Sequence, residues 1–315
     1  STRVRSSAAS DVYKRQAVHR NLKKRRNFGL EKVKCILNNK SVLGEGPVWD
    51  ESRKKLFFVD IMGKKINSFD PITKEFDSIE TENPVGCIVF HKDNNIISAQ
   101  QNKLVKINLD TKESVKILDF NLDEYLRFND GKCDINGRLW VGTMATDQAH
   151  PKARVCGSLF CADEKGNIKE VFDKMAIPNG IAFSSDNKYM YHIDTPTQCI
   201  SRYDFDAKTG KLSNKTTAVK VPENEGSPDG MTIDCEGMLW VALWGGYAVA
   251  RYNPETGEQL LKISVDAENI SCCAFGGENM DELFITSAIN DNGEGGELFW
   301  YQTNTKGMST YRFGE

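Results

Sequence analysis

From Ser41 to Gly307 the apolar positions fall in short runs separated by turn-forming residues. The runs Leu56–Asp60, Ile96–Ala99, Leu139–Thr143, Met190–Asp194, Leu239–Ala242 and Leu283–Thr286 are rich in β-branched and aromatic residues and are bounded by Gly, Asn, Asp or Lys. Such runs are too short for helices and read as strands. Those that follow them, Lys65–Asp70, Leu104–Ile107, Ile200–Phe205 and Val249–Tyr252, alternate apolar and polar residues, which puts one face against a core and one toward water. No stretch approaches the roughly 18 consecutive apolar residues that span a bilayer, so no membrane partner is expected.

One unit recurs six times: a Gly-containing turn, an apolar run, a polar turn, a second run, then an alternating third run and another turn. The unit starts are Gly44-Glu45-Gly46-Pro47-Val48-Trp49, Asn83-Pro84-Val85-Gly86, Asn129-Asp130-Gly131-Lys132, Pro178-Asn179-Gly180-Ile181, Pro228-Asp229-Gly230-Met231 and Ile270-Ser271-Cys272-Cys273. Their spacing of about 40 to 50 residues is that of propeller blades. A lone four-stranded sheet cannot bury both faces, so the repeat predicts an all-β fold, a six-bladed β-propeller with a central channel. Closure requires a strand from one terminus to complete the blade begun at the other. The run Lys32–Leu37 is placed to join the blade containing Glu297–Tyr301. The propeller domain is therefore expected over residues 31–315.

Charge divides the chain of 315 residues unevenly. Residues 1–27 carry nine Lys and Arg against Asp11 alone, about +8; with −3 for the whole chain, the rest carries about −11. Residues 1–30, ahead of the first methionine at Met62, are read as a basic extension, disordered or non-native, outside the domain. The acidic body has no basic stripe, which argues against nucleic acid and is compatible with a cation-binding surface. Nine scattered cysteines, with no Cys-x-x-Cys, favour a reducing compartment. A cytoplasmic monomer is expected, or an organellar protein if the basic segment is a transit peptide.

In a propeller, loops entering the inner strands converge on one mouth of the channel, so equivalent repeat positions face one another. That position holds Glu45, Val85, Asn129, Asn179, Asp229 and Ser271. Asn-Gly and Asp-Gly are common hairpin dipeptides and need no other explanation. Glu45, between two glycines and ahead of Pro47, is a poor turn choice. Two carboxylates and two amide carbonyls aimed at one point form an oxygen-rich nest for a hard divalent cation, without which Glu45 and Asp229 would repel each other.

The segments around Glu45, Arg127-Phe128-Asn129-Asp130-Gly131-Lys132, Pro178-Asn179-Gly180, Pro228-Asp229-Gly230 and Cys272-Cys273-Ala274-Phe275-Gly276-Gly277 resemble the gluconolactonase/regucalcin (senescence marker protein) family. The resemblance runs from about Ser41 to Gly307 and implies a six-bladed propeller, one divalent cation and hydrolysis of sugar lactones. Carried over residue by residue, it implies Glu45, Asn179 and Asp229 as metal ligands and Arg127 and Asn129 as substrate contacts. Asp147 stands where animal members carry a substrate-contacting glutamate, a side chain longer by one methylene. Trp244-Gly245-Gly246-Tyr247 is closer to microbial members.

Lactone hydrolysis needs a polarised carbonyl, an activated water and a place for charge on the carbonyl oxygen. A divalent cation (calcium, magnesium or manganese by its oxygen ligands, zinc by the resemblance) serves the first and third. Asp229 is the expected general base. Only His19, His91, His150 and His192 are present and no Gly-x-Ser-x-Gly elbow occurs, which leaves few candidates for a Ser-His-Asp site. His192, in a strand run, reads as a core residue. Two other functions share these residues: a related esterase or organophosphate hydrolase, and a non-catalytic calcium-binding regulator.

Overall fold

The central runs of the repeat are apolar without a break because both faces of their sheets are covered. In Lys55–Asp60, Phe57 and Val59 pack with Val85, Ile88, Phe90 and Ile96 of the following unit. Leu56 and Phe58 turn the other way, onto Trp49, Phe284 and Leu298. The Trp49 and Phe284 rings stack at 5.5 Å and 9°. Each such side chain, moved out of water, stabilises the fold by about 1.5–3 kcal/mol.

The structure is a computed structural model that describes residues 32–315, so the basic extension over residues 1–30 lies outside the described residues. After β1 (Lys34–Leu37), strands follow in fours. The first unit is β2 (Gly44–Asp50), β3 (Lys55–Asp60), β4 (Lys65–Phe69) and β5 (Phe76–Glu80). The second is β6 (Val85–Phe90), β7 (Ile96–Gln100), β8 (Lys103–Ile107) and β9 (Ser114–Asp119). The third is β10 (Leu126–Cys133), β11 (Leu139–Ala145), β12 (Gly157–Ala162) and β13 (Ile168–Met175). The fourth is β14 (Pro178–Phe183), β15 (Tyr189–Asp194), β16 (Cys199–Asp206) and β17 (Lys211–Lys220). The fifth is β18 (Ser227–Ile233), β19 (Leu239–Trp244), β20 (Ala248–Tyr252) and β21 (Gln259–Ser264). The last, β22 (Asn269–Gly276), β23 (Glu282–Ala288) and β24 (Leu298–Gln302), is one strand short.

β1 supplies the missing strand, pairing antiparallel with β24 through Lys34 and Trp300, Cys35 and Phe299, and Leu37 and Leu298. The first four units are separate antiparallel sheets; the last two share one sheet through the single pair Trp244 and Asn269. First strands pack on one another in cyclic order: β2 on β6, β6 on β10, β10 on β14, β14 on β18, β18 on β22 and β22 on β2. The fold is all-β. None of the nine cysteines is bridged, and no helix of the described residues is long and apolar enough to cross a membrane.

The glycine-containing segments at the unit starts are not turns. They lie inside the first strands, and pairing with the second strand slips at the same place in all six. Asn129-Asp130, Asn179-Gly180 and Asp229-Gly230 are left opposite single residues, as are Gly46-Pro47; Gly86 and Ser271 are also skipped. Such β-bulges bend a strand and re-aim a side chain. Glycine follows Asn179 because the next first strand lies against it: a Cβ on Gly180 would sit 2.7 Å from the Asp229 carbonyl oxygen.

Candidate active site

The bulges bring Glu45, Arg127, Asn129, Asn179 and Asp229 into one buried cluster. The register corrects one expected equivalence. Glu45 and Val85 align with Phe128, Pro178 and Pro228, one residue ahead of the bulge that carries Asn129, Asn179 and Asp229. Gly46, left-handed at φ +51°, compensates: its N–H donates to Glu45 Oε2 at 2.8 Å and turns the longer side chain.

A directional hydrogen-bond chain orders the polar groups. Arg127 Nη1 donates to the Phe128 carbonyl and to Asn129 Oδ1, both at 2.9 Å. Asn129 Nδ2 donates to the Pro178 carbonyl (2.9 Å) and to Asn179 Oδ1 (3.1 Å). Asn179 Nδ2 donates to Thr195 Oγ1 at 2.9 Å, and the Asn179 side chain favours the charged form of the Asp229 carboxylate. Asp130, which sequence reasoning treated as turn, is a third buried carboxylate on the same bulge as Asn129, accepting from the Gly131 N–H at 2.8 Å. Its only signal was the Asn-Asp-Gly order, which also suits an ordinary turn.

Burial raises the Glu45 carboxyl to about 8, with Asp130 adding repulsion and the Gly46 N–H, Arg127 and the Cys272 thiol opposing it. Burial, then Glu45 and Asp130, hold Asp229 well above the usual carboxylate range. Asp130 is raised by burial. Burial lowers the Arg127 guanidinium to about 10 against Glu45 and Asp229, which leaves it charged at neutral pH. Of these three raised carboxyls, Glu45 and Asp229 face the Arg127 guanidinium, and Asp130 is offset by Lys132. In the folded state they hold protons above the pH at which the unfolded chain releases them, so folding binds protons between about pH 4 and 8 and stability falls as pH rises through that window. In chelator, the unfolding free energy from urea titration is expected to drop from pH 5 to pH 8, by on the order of 1 kcal/mol per pH unit for each extra proton held, and the urea midpoint with it. Calcium added at pH 8 should restore it. A midpoint that is level or rises over this range would contradict the arrangement.

A sequence model of the SMP-30/gluconolactonase/LRE-like region matches residues 43–289. The chain belongs to the SMP-30/gluconolactonase/LRE-like family. It is 37% identical to regucalcin of Danio rerio over 257 residues, covering 82% of this chain and 86% of that one. It is 36% identical to Bacillus subtilis YvrE, provisionally named a sugar lactone lactonase, over 88% of this chain and 96% of that one. Among solved structures, a luciferin-regenerating enzyme superposes with a TM-score of 0.83 at 30% identity, covering 88% of this chain and 96% of that one.

The remaining residues of this family member fall in three places. Asp147 is exposed in the connection after β11; the Leu126 and Ala145 pair puts it at the end of the sheet where β10 begins, and its carboxylate accepts from the Ala149 N–H at 2.8 Å. It is not hydrogen-bonded to the buried cluster. Val85 is buried and apolar, and the Ser271 hydroxyl donates to the Gly44 carbonyl beside Glu45. His192 is buried in β15 and, by burial, lowered to about 3. Beyond the cluster, a cavity of about 50 Å³ is lined by Asp130, Lys132, Cys272, Met308 and Tyr311, enough for a few water molecules.

Among the described residues no three His, Cys, Asp or Glu side chains are grouped to hold a metal. The set at the bulges is of another composition: Glu45, Asp229 and the amide oxygen of Asn179. Its all-oxygen chemistry and crowded buried carboxyls fit a hard cation.

Proposed function

We propose that this chain hydrolyses sugar lactones to aldonic acids at the mouth of a six-bladed propeller, with a divalent cation held by Glu45, Asn179 and Asp229. The observation that carries this reading is the burial of these three residues, with Arg127, in one cluster at or beside the bulges of the first strands. Family membership and the name of YvrE support the lactone. The fully polar cluster supports a substrate rich in hydroxyls over an apolar ester.

Bound there, the cation supplies Lewis-acid polarisation of the lactone carbonyl and offsets the buried negative charge. Asp229 takes a proton from the attacking water as the new C–O bond forms, then returns it to the ring oxygen as the ring C–O bond breaks. Arg127 has a buried Nε without a hydrogen-bond partner, placed to donate to a substrate oxygen. Both ends of the Asn129 amide are engaged, which leaves one Oδ1 lone pair for a substrate hydroxyl. Asp147 guards the rim and contacts the distal hydroxyls.

Proton release from a panel of five- and six-membered aldonolactones, beside non-sugar lactones, aryl esters and an organophosphate, tests this reading. Aldonolactones should turn over fastest. Preference for aryl esters or the organophosphate would overturn the assignment.

A further inference from the structure

Thr195 opens the 3-10 turn Thr195–Thr197 after β15 and is half-buried. No sequence motif marks it, yet its hydroxyl links the segments of two of the three proposed ligands. Asn179 Nδ2 donates to Thr195 Oγ1 at 2.9 Å, and Thr195 Oγ1 donates to the Pro228 carbonyl at 2.9 Å, one residue before Asp229.

The two ends of a carboxamide have nearly the same shape, so only neighbours decide which end faces the carboxylates. Here the chain is fixed from both sides. The Pro228 carbonyl only accepts; it takes the single hydroxyl proton of Thr195, which can then only accept from Asn179 and must face Nδ2. Arg127 only donates, so Asn129 turns Oδ1 toward it and Nδ2 toward Asn179, which must answer with Oδ1.

We propose that Thr195 is a positioning residue that holds the Asn179 amide with its oxygen available to a cation and its nitrogen turned away. The inference rests on the reading of Asn179 as a cation ligand. Without the hydroxyl, Nδ2 loses its acceptor and the Asn179 amide is held from the Asn129 side alone. The Pro228 carbonyl that anchors Asp229 also loses its donor.

Calorimetric titration of chelator-treated protein with calcium and with manganese tests this. Thr195→Val should bind both about tenfold to hundredfold more weakly, the usual cost of losing a group that orients a metal ligand. Thr195→Ser, which keeps the oxygen, should bind within about threefold of the parent, a difference under about 1 kcal/mol. Melting temperatures of all three without cation should lie well above the titration temperature, so that weaker binding is not a folding defect. If Thr195→Val does not fold, Thr195→Ala removes the same oxygen. Unchanged binding in the variant lacking the hydroxyl overturns the role of Thr195 alone. Failure of the parent protein to bind either cation overturns this inference together with the cation reading.

Discussion

Asp229→Asn should lose lactone hydrolysis and, in cation-free buffer at pH 8, gain stability. The loss follows from the proton. An amide cannot take one from water or return one to the ring oxygen, and a positioned general base contributes about 10²–10⁴-fold. The gain follows from charge. Asp229 is buried beside Glu45 and Asp130, and its carboxyl is held well above its usual range. Each pH unit by which that raised value exceeds the unfolded one costs about 1.4 kcal/mol once the group ionises. Removing the charge should therefore raise the urea stability at pH 8, and calcium should no longer raise it further. Opposite movement of activity and stability separates a functional role from a structural one. A variant within tenfold of the parent's rate would exclude Asp229 as the base.

Arg127→Met should instead lose stability. Arg127 is buried facing Glu45 and Asp229, and its Nη1 holds the Phe128 carbonyl and Asn129 Oδ1. Breaking a buried charge pair from one side costs about 3–5 kcal/mol because the other charge stays behind. That loss should appear in urea denaturation at pH 8 in chelator. It should shrink toward pH 5, where Glu45 and Asp229 take up protons, and shrink again when calcium is added. Arg127→Lys keeps the charge but not the planar fork, so it should retain most of the stability and lose turnover. Equal destabilisation of Arg127→Met at both pH values would mean that Arg127 acts through packing rather than charge.

How far the fold is legible follows from where its information lies. The runs at Leu56, Leu139 and Leu239 declare strands buried on both faces, and the run Lys34–Leu37 is β-prone and outside the repeat, so its place beside β24 follows from closure. A bulge is a property of pairing between two strands, and one strand's sequence does not display it. For that reason the unit starts read as turns, and Glu45 and Val85 were aligned one residue away from their structural equivalents.

The site divides in the same way. Glu45, Asn179 and Asp229 stand out because carboxylates and amides recur beside glycine at the blade period. Asp130 shares its bulge with Asn129 and hides in a dipeptide that also suits a turn. Thr195 is invisible in sequence because its role is set by the carbonyl of Pro228 on the next unit, 33 residues away. Asp147 is marked only by resemblance, and its exposed place on the rim has no period or burial pattern to reveal it.

The central claim, cation-dependent lactone hydrolysis at this cluster, is tested most directly by the initial rate of D-glucono-δ-lactone hydrolysis in chelator-treated protein before and after addition of single divalent cations. The account predicts a rate no greater than spontaneous hydrolysis in chelator, and recovery with calcium, manganese, magnesium or zinc at about one ion per chain. A full rate in protein shown to be free of metal, or no turnover with any of the four cations, would contradict it.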